Sequence, residues 1–431
     1  MHDREIVNYC LNSLKNNGAD KAQCLLHKNK KYEMNVESGA ISLLRTTLDT
    51  SLSLTVIKDN KKGIISINKT DEESIKAAIK NVFELCLNSD ADEAYDIAPY
   101  QASKEFSTGD SEPDMDRMYS LLKGYIAAVK EAYPVINLMD TTMSFDAGVM
   151  YLVNSNGVDF KESKGIYNFG SMFAAKEGDK SSSFNYSGAS MLKLEKDLMD
   201  CASVKTLLKQ SVEQLNTEVL EGKFQGDIII TPDCLSDLIN EYIDIFLSDG
   251  SLISGTSILK DKLNEKVASE LLSIYSRPVS KEISDGYHVT GDGFEAENIA
   301  IIEKGILKSF MLSQYGAKKT NRERAKNAGQ CYVIDPGTEN FTDIIKGVEK
   351  GIVLSRFSGG QPSSNGDFSG VAKNSYYIEN GEIKYPISET MVSGNLYEAF
   401  NNIKGISKER IDNGYTILPY VCISGATISG K

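Results

Sequence analysis

Between Ala22 and Asn68 the chain carries five strand-like segments in succession: AQCLLHK, KYEMNVES, AISLLRTTL, SLSLTVIKD and KGIISIN. Turn-prone residues separate them, and such a row of neighbours predicts an antiparallel meander. A helix precedes the row, over 3–16, with Ile6, Val7, Cys10, Leu11 and Leu14 on one face. Another follows over 71–87, where Ile75, Ala78, Ile79, Val82, Phe83 and Cys86 line one side and Thr70 and Glu73 read as a capping box.

Residues 88–112 are polar, acidic and without period, and read as a linker or long surface loop. Pro113 opens a further helix, with Met118, Leu121, Leu122, Tyr125 and Ile126 inward. VMYLVNSNGVDFKES carries a hairpin signal at Asn156-Gly157. A long helix is expected over 192–219. The first part thus reads as two helix-plus-strand units, about 1–90 and 112–220.

EGKFQGD at 221–227 reads as a boundary. GDIIITP is a strand, and DCLSDL opens a helix that continues through INEYIDIF. Hairpins are expected around Glu303-Lys304-Gly305 and Glu379-Asn380-Gly381-Glu382, short helices over 339–350 and in SGNLYEAFNNI, a strand at IVLSRF, and strands at the end, TILPYVCISGATISG. The expected organisation is an N-terminal α/β domain over 1–220 and a strand-rich domain over 225–431.

Bulk properties narrow the function. A formal net charge of −13 argues against broad binding of a phosphate backbone. The only dense basic runs, NKKY at 29–32 and AKKTNRERAK at 317–326, read as solvated faces. The seven cysteines (10, 24, 86, 201, 234, 331 and 422) are scattered, form no Cys-x-x-Cys, and read as buried thiols of a reducing compartment. The N-terminus MHDREIVNYC lacks an apolar signal core, and no apolar run is long enough to span a bilayer. A cytoplasmic protein is expected.

Candidate chemistry is sparse. His2, His27 and His288 have no partner at helical spacing, so a histidine-based zinc site is not expected, although a carboxylate-only site stays open. No Gly-x-Ser-x-Gly elbow occurs. SGGQPSSNGDFSG at 358–370 lacks the Lys-Ser/Thr of a phosphate loop. It reads either as a connector between strands or as a loop whose backbone approaches an extended peptide. Within it Gly359, Gly360, Gln361, Gly366, Asp367 and Phe368 are candidates to line a peptide tunnel. Arg356, just before it, could meet a peptide carboxylate or pair with an acid of its own chain.

The strand GDIIITP, followed by a helix carrying Asn240-Glu241, is how many metallopeptidases mount a metal and its general base, except that those need histidine where Asn240 stands. The second half carries a more specific pattern: ENIAIIEKGILKSFMLSQYGAKK, then SRFSGGQPSSNGDFSGVAKNSYYIENGEIKYPISETMVSGNLYEAFNNI, then LPYVCISGATISGK. It resembles the TldD/PmbA family, whose members are named as modulators of DNA gyrase. The resemblance covers residues 20–431 and is strongest after 225.

That resemblance implies an answer for Asn240-Glu241. The TldD branch carries His-Glu-x-x-x-His in the helix after this strand. Glu241 keeps the glutamate, while Asn240 and Ile245 stand at the histidine positions. Isoleucine cannot ligate a metal, and the family's further cysteine ligand has no counterpart here, since Cys422 falls in a strand. The chain is therefore similar to the PmbA/TldE branch, in which the companion subunit brings the metal and both subunits enclose a peptide tunnel.

The resemblance implies an α+β fold whose C-terminal domain is barrel-like. It implies no metal or other cofactor in this chain, no catalysis by the chain alone, and a TldD-like partner in a heterodimer or else a homodimer. The substrate class is unfolded or modified peptide, with no nucleic acid and no membrane. Two alternatives stay open: a homodimeric peptide-binding or regulatory protein, and a standalone hydrolase with a non-histidine site.

Overall fold

The structure, a computed structural model, describes residues 2–37 and 39–431; Ser38, the last residue of the second expected strand, lies outside them. The five expected strands of the first row are three long ones: β1 (Lys21–Glu37), β2 (Ala40–Lys58) and β3 (Lys61–Ile67). Asn29 and Asp49, read as turn residues, face each other within the β1–β2 ladder. A polar residue on the solvated face of a strand looks like a break when only the sequence is read.

α1 (Asp3–Asn16) and α2 (Glu72–Leu87) flank these strands. The cap of α2 is Asp71, not Thr70: its carboxylate accepts from the Ser74 amide at 2.9 Å. Residues 88–112 are not a free linker. They contain β4 (Lys104–Thr108), bury Ala94, Ile97 and Ala98, and dock on the second half of the chain through Asp92, Asp96 and Gln101.

α3 (Met115–Ala132) leads into β5 (Ile136–Asn154) and β6 (Asp159–Glu177), joined at the expected Asn156-Gly157 turn. β7 (Lys180–Ser181) and β8 (Asn185–Met191) then pair with β6. The long helix expected over 192–219 does not form. Only a 3-10 turn (Leu198–Asp200), α4 (Val204–Glu213) and the short β9 (Glu218–Val219) lie there.

The first eight strands make one sheet in the order β3-β2-β1-β5-β6-β4, so β1 against β5 joins the two units. Side chains alternate across it. One face (Cys24, Leu26, Met34, Met143, Phe145, Phe169) is buried under the helices. The other carries Asn29, Asp146, Gly148, Lys164, Asn168 and Gly170 and looks toward the second half.

The second half begins with β10 (Lys223–Ile230), α5 (Pro232–Leu247) and α6 (Asp249–Ile253). β11 (Ile274–Ser276), β12 (Ile299–Glu303), β13 (Ile306–Leu307), α7 (Gln314–Thr320), β14 (Tyr332–Ile334) and α8 (Phe341–Lys346) follow. β15 (Lys350–Leu354) and β16 (Arg356–Gly359) divide the expected strand IVLSRF at Ser355. Then come β17 (Asp367–Lys373), β18 (Ser375–Glu379), β19 (Glu382–Ser388), β20 (Thr390–Asn395), α9 (Leu396–Asn401), β21 (Ile403–Asp412) and β22 (Ile417–Ser429).

Both expected hairpins form, at Lys304-Gly305 and Asn380-Gly381, with positive φ at all four residues. β22 is the hub of this second sheet, pairing with β10, β14, β20 and β21. The sheet curls around α5. Leu235, Leu238, Ile239, Tyr242, Phe246 and Leu247 of that helix share one core with strands from both ends of the sheet. Curled but with its ladders branching, the sheet is barrel-like, and the fold is α+β.

Candidate functional site

α5 is apolar around most of its circumference because the sheet surrounds it. One polar stripe is left: Asp233, Ser236, Asp237, Asn240, Glu241 and Asp244. These recur three and four residues apart, so they form one face. Tyr242, the residue after Glu241, is fully buried and stacks on Phe400 with centroids 4.7 Å apart. Ile245 is half-buried against the same core. The core thus fixes which way Asn240 and Glu241 point.

That stripe meets the polar face of the first sheet across a groove. Ser236 and Asn240 border a cavity of about 440 Å³ together with Lys164, Asp285, Tyr332 and Tyr415. Tyr415 also borders a hollow of about 360 Å³ over β6 and β8, and Lys164 one of about 290 Å³ over β1, β5 and β6. The three hollows therefore adjoin along the seam between the sheets.

The hollow over β6 and β8 exists because two glycines face each other, Gly170 on β6 and Gly188 on β8. A Cβ at Gly188 would meet the Phe169 carbonyl oxygen at 2.2 Å, whereas one at Gly170 would enter open space. The adjoining cavity beside Ser236 and Asn240 is bordered by Gln330 and Cys331, part of a turn in which Gly329, Gln330 and Cys331 all have positive φ. Such strain in two non-glycine residues is characteristic of functional walls.

The electrostatics of the groove are acidic. Burial raises the carboxyl groups of Asp233, Asp237 and Glu241 above the ordinary carboxylate range, and for Glu241 the charges of Asp244 and Asp237 add to it. Burial pushes the Cys331 thiol up to about 11, which keeps it protonated at neutral pH. Arg356 stands near Tyr186 and Cys234, and burial lowers its guanidinium from the ordinary value. Among the described residues no carboxylate pairs with it. Its Nη2 donates to Ser183 Oγ at 2.6 Å, and its guanidinium lies 4.1 Å from the Phe184 ring centroid.

The other tunnel candidates scatter. Gly359 ends β16; a Cβ there would meet Ser369 O at 2.7 Å, so valine at this position disturbs the hairpin, while Gly360 is open. Gln361 is exposed. Gly366, with φ +93°, packs on Phe246, and Phe368 sits in the core against Phe357. Asp367 accepts from Asn395 and Asn365, both at 2.9 Å, which lowers its pKa. The loop 360–366 connects β16 to β17.

The groove residues Lys164, Tyr186, Asp285 and Tyr415 went unread in the sequence. The only signal for them was the alternation along β5 and β6, which marks a polar face but not what covers it.

The residues at Asn240, Glu241 and Ile245 do not fit a metal ion: an amide, one carboxylate and an aliphatic side chain make no ligand set. Among the described residues no group of three or more His, Cys, Asp or Glu side chains is placed to hold one. His27 borders the groove, His2 caps α1, and His288 Nδ1 lies 2.9 Å from Glu162. All seven cysteines are free and buried. Both basic runs are ion-paired: Lys30, Lys31, Lys318, Lys319, Arg322, Arg324 and Lys326 each have a carboxylate partner. No helix among the described residues is long and apolar enough to cross a membrane.

Comparison with known proteins agrees with this architecture. Residues 222–430 match the PmbA/TldA metallopeptidase C-terminal domain, and residues 22–86 match PmbA/TldA metallopeptidase domain 1. Metalloprotease PmbA of Escherichia coli O157:H7 is 23% identical over 432 residues, covering 94% of this chain and 93% of the relative. A zinc metalloprotease TldD homolog of Saccharolobus solfataricus is 28% identical over 252 residues, 55% of this chain and 56% of its own length.

Two crystal structures share the fold. TldE of Thermococcus kodakarensis superposes with a TM-score of 0.84 at 19% identity, over 99% of each chain. A Bacteroides thetaiotaomicron protein described as a modulator of DNA gyrase gives a TM-score of 0.88 at 24% identity, over 100% of this chain and 99% of that one. With both domain descriptions matched in order along the sequence, the chain belongs to the PmbA/TldD family.

Proposed function

We propose that this chain is the metal-free, peptide-holding subunit of a PmbA/TldD-type metallopeptidase system acting on unfolded or modified peptides. A TldD-type partner brings the metal. One observation carries the reading: Ser236 and Asn240, on the stripe where the TldD branch places its metal motif, border a groove along the polar face of the first sheet. The groove keeps the place of an active site without the donors for a metal. What remains suits an extended chain: a strip of backbone at Gly170 and Gly188, with the half-exposed Tyr186 and Tyr415 beside it.

The test uses this chain reconstituted with a TldD-type partner. The Cβ of Gly170→Phe enters open space, which starts its ring into the hollow. Hydrolysis of an unstructured peptide is expected to fall at least tenfold while the thermal midpoint stays unchanged. Full hydrolysis with the phenylalanine in place would overturn the reading.

A further inference from the structure

Arg356 is a cation without an anion. Of the eight arginines in the chain, five hold carboxylates, and Arg117 and Arg410 hold backbone carbonyls. Arg356 has neither. A guanidinium carries five N–H donors and no acceptor. Among the described residues the Ser183 hydroxyl accepts one of them, and the Arg356 Nε is buried with no partner. The rest of its support is apolar, the Phe184 ring centroid 4.1 Å from the guanidinium. Asp233 and Asp237 of α5 both stand above the ordinary carboxylate range, so neither is held by this charge. A half-buried cation with an orphaned donor is costly to keep, and calls for a partner from outside the chain.

The place of this cation follows from the strand beneath it. Phe184 and Tyr186 are exposed, while Asn185 and Ser187 are buried. Strand alternation therefore puts Phe184, Tyr186 and Gly188 on one face, and that face forms the hollow where Gly188 lies opposite Gly170. Arg356 stands over the Phe184 end of this row. At strand spacing the row from Gly188 to Phe184 is about 13 Å long. An extended peptide lying over the glycines thus reaches the guanidinium about four residues further on.

The ligand that fits is planar and singly charged. A carboxylate takes two parallel N–H bonds from one guanidinium. One guanidinium balances one negative charge, which a phosphate at neutral pH exceeds. Resting on the peptide reading of the groove, we propose that Arg356 binds a carboxylate of the bound peptide, supplied by its C-terminus or by an acidic side chain, and so sets the register of the peptide in the groove.

Three labelled, unstructured peptides separate the two sources: a neutral sequence ending in a free acid, the same sequence as its C-terminal amide, and an amide whose last residue is glutamate. In fluorescence anisotropy with the whole chain, the free acid, the glutamate amide or both are expected to bind about tenfold tighter than the plain amide, as a charge-assisted pair gives. Whichever gains names the source. Arg356→Gln brings the tighter peptide down to the plain amide. Arg356→Lys keeps the charge without the fork and restores part of the difference. Gly170→Phe weakens all three peptides, because it fills the groove and not its end. The thermal midpoint of Arg356→Gln is expected to match the parent, since no ion pair is lost. A plain amide that binds as well as both acids overturns this inference alone, and so does a preference that survives Arg356→Gln. Failure of all three peptides to bind overturns the peptide reading and this inference with it.

Discussion

Lys164 of β6 and Asp285 of the loop facing it form an ion pair across the seam between the two halves, and the same ammonium donates to the Gly286 carbonyl at 2.7 Å. The Ser190 hydroxyl lies 3.2 Å from the other Asp285 oxygen. One side chain of the first sheet thus holds the loop that walls the groove. Lys164→Met keeps the aliphatic stem and removes the charge. The pair is partly exposed, so the expected loss is about 1 kcal/mol in chemical denaturation. The local effect is larger: amide exchange at Tyr287, which bonds Pro278 O, speeds up.

The carboxylate stripe of α5 predicts a pH-dependent gain. Glu241 has its folded pKa raised, by burial first and then by Asp244 and Asp237. A raised carboxyl favours the folded state at low pH, and that contribution disappears as pH climbs through the folded value. Glu241→Gln therefore stabilises the chain at pH 7, by on the order of 0.5 kcal/mol for relieved like charges one turn apart. The gain vanishes below about pH 4, the ordinary glutamate value. Urea midpoints at the two pH values measure it; a loss at pH 7 would contradict the assignment.

Arg324 predicts a measurable loss. Its Nε and Nη2 hold the two oxygens of Asp292 at 2.9 and 2.7 Å, and its guanidinium carbon lies 3.8 Å from the Phe294 ring centroid. Burial works against the Asp292 charge, yet its bonds and the Arg324 charge keep its pKa below the ordinary value. Arg324→Ala leaves a part-buried carboxylate without its ion partner, though still bonded to Thr290 and Gln314, and is expected to cost about 1–3 kcal/mol. Adding Asp292→Ala should recover part of that, as a double-mutant cycle by denaturation would read out.

Tyr186 tests the groove from its side wall. The ring is 53% exposed, so Tyr186→Ala removes little packing within the chain. An aromatic anchor lost from a peptide groove costs about tenfold in affinity. Fluorescence anisotropy with an unstructured labelled peptide is expected to show that loss at an unchanged thermal midpoint.

Local chemistry alone was enough for several elements. The apolar spacing of Ile6, Val7, Cys10 and Leu14 defines α1, and the dipeptides Lys304-Gly305 and Asn380-Gly381 define tight turns that only left-handed residues make readily. The substitutions at Asn240 and Ile245 are likewise legible in the sequence, since ligand chemistry belongs to the side chain. Other features depended on partners far along the chain. Asn29 and Asp49 look like turns until a strand lies beside each of them, and residues 88–112 look like a linker until Lys318, Lys319 and Gln314 meet them. The helix expected over 192–219 yields to a broken path because the chain must pass from one sheet to the other there. The groove is the extreme case. Lys164 and Asp285 are 121 positions apart, and no period or propensity links them. Only the packing of one sheet's polar face against the loops of the other half brings them together.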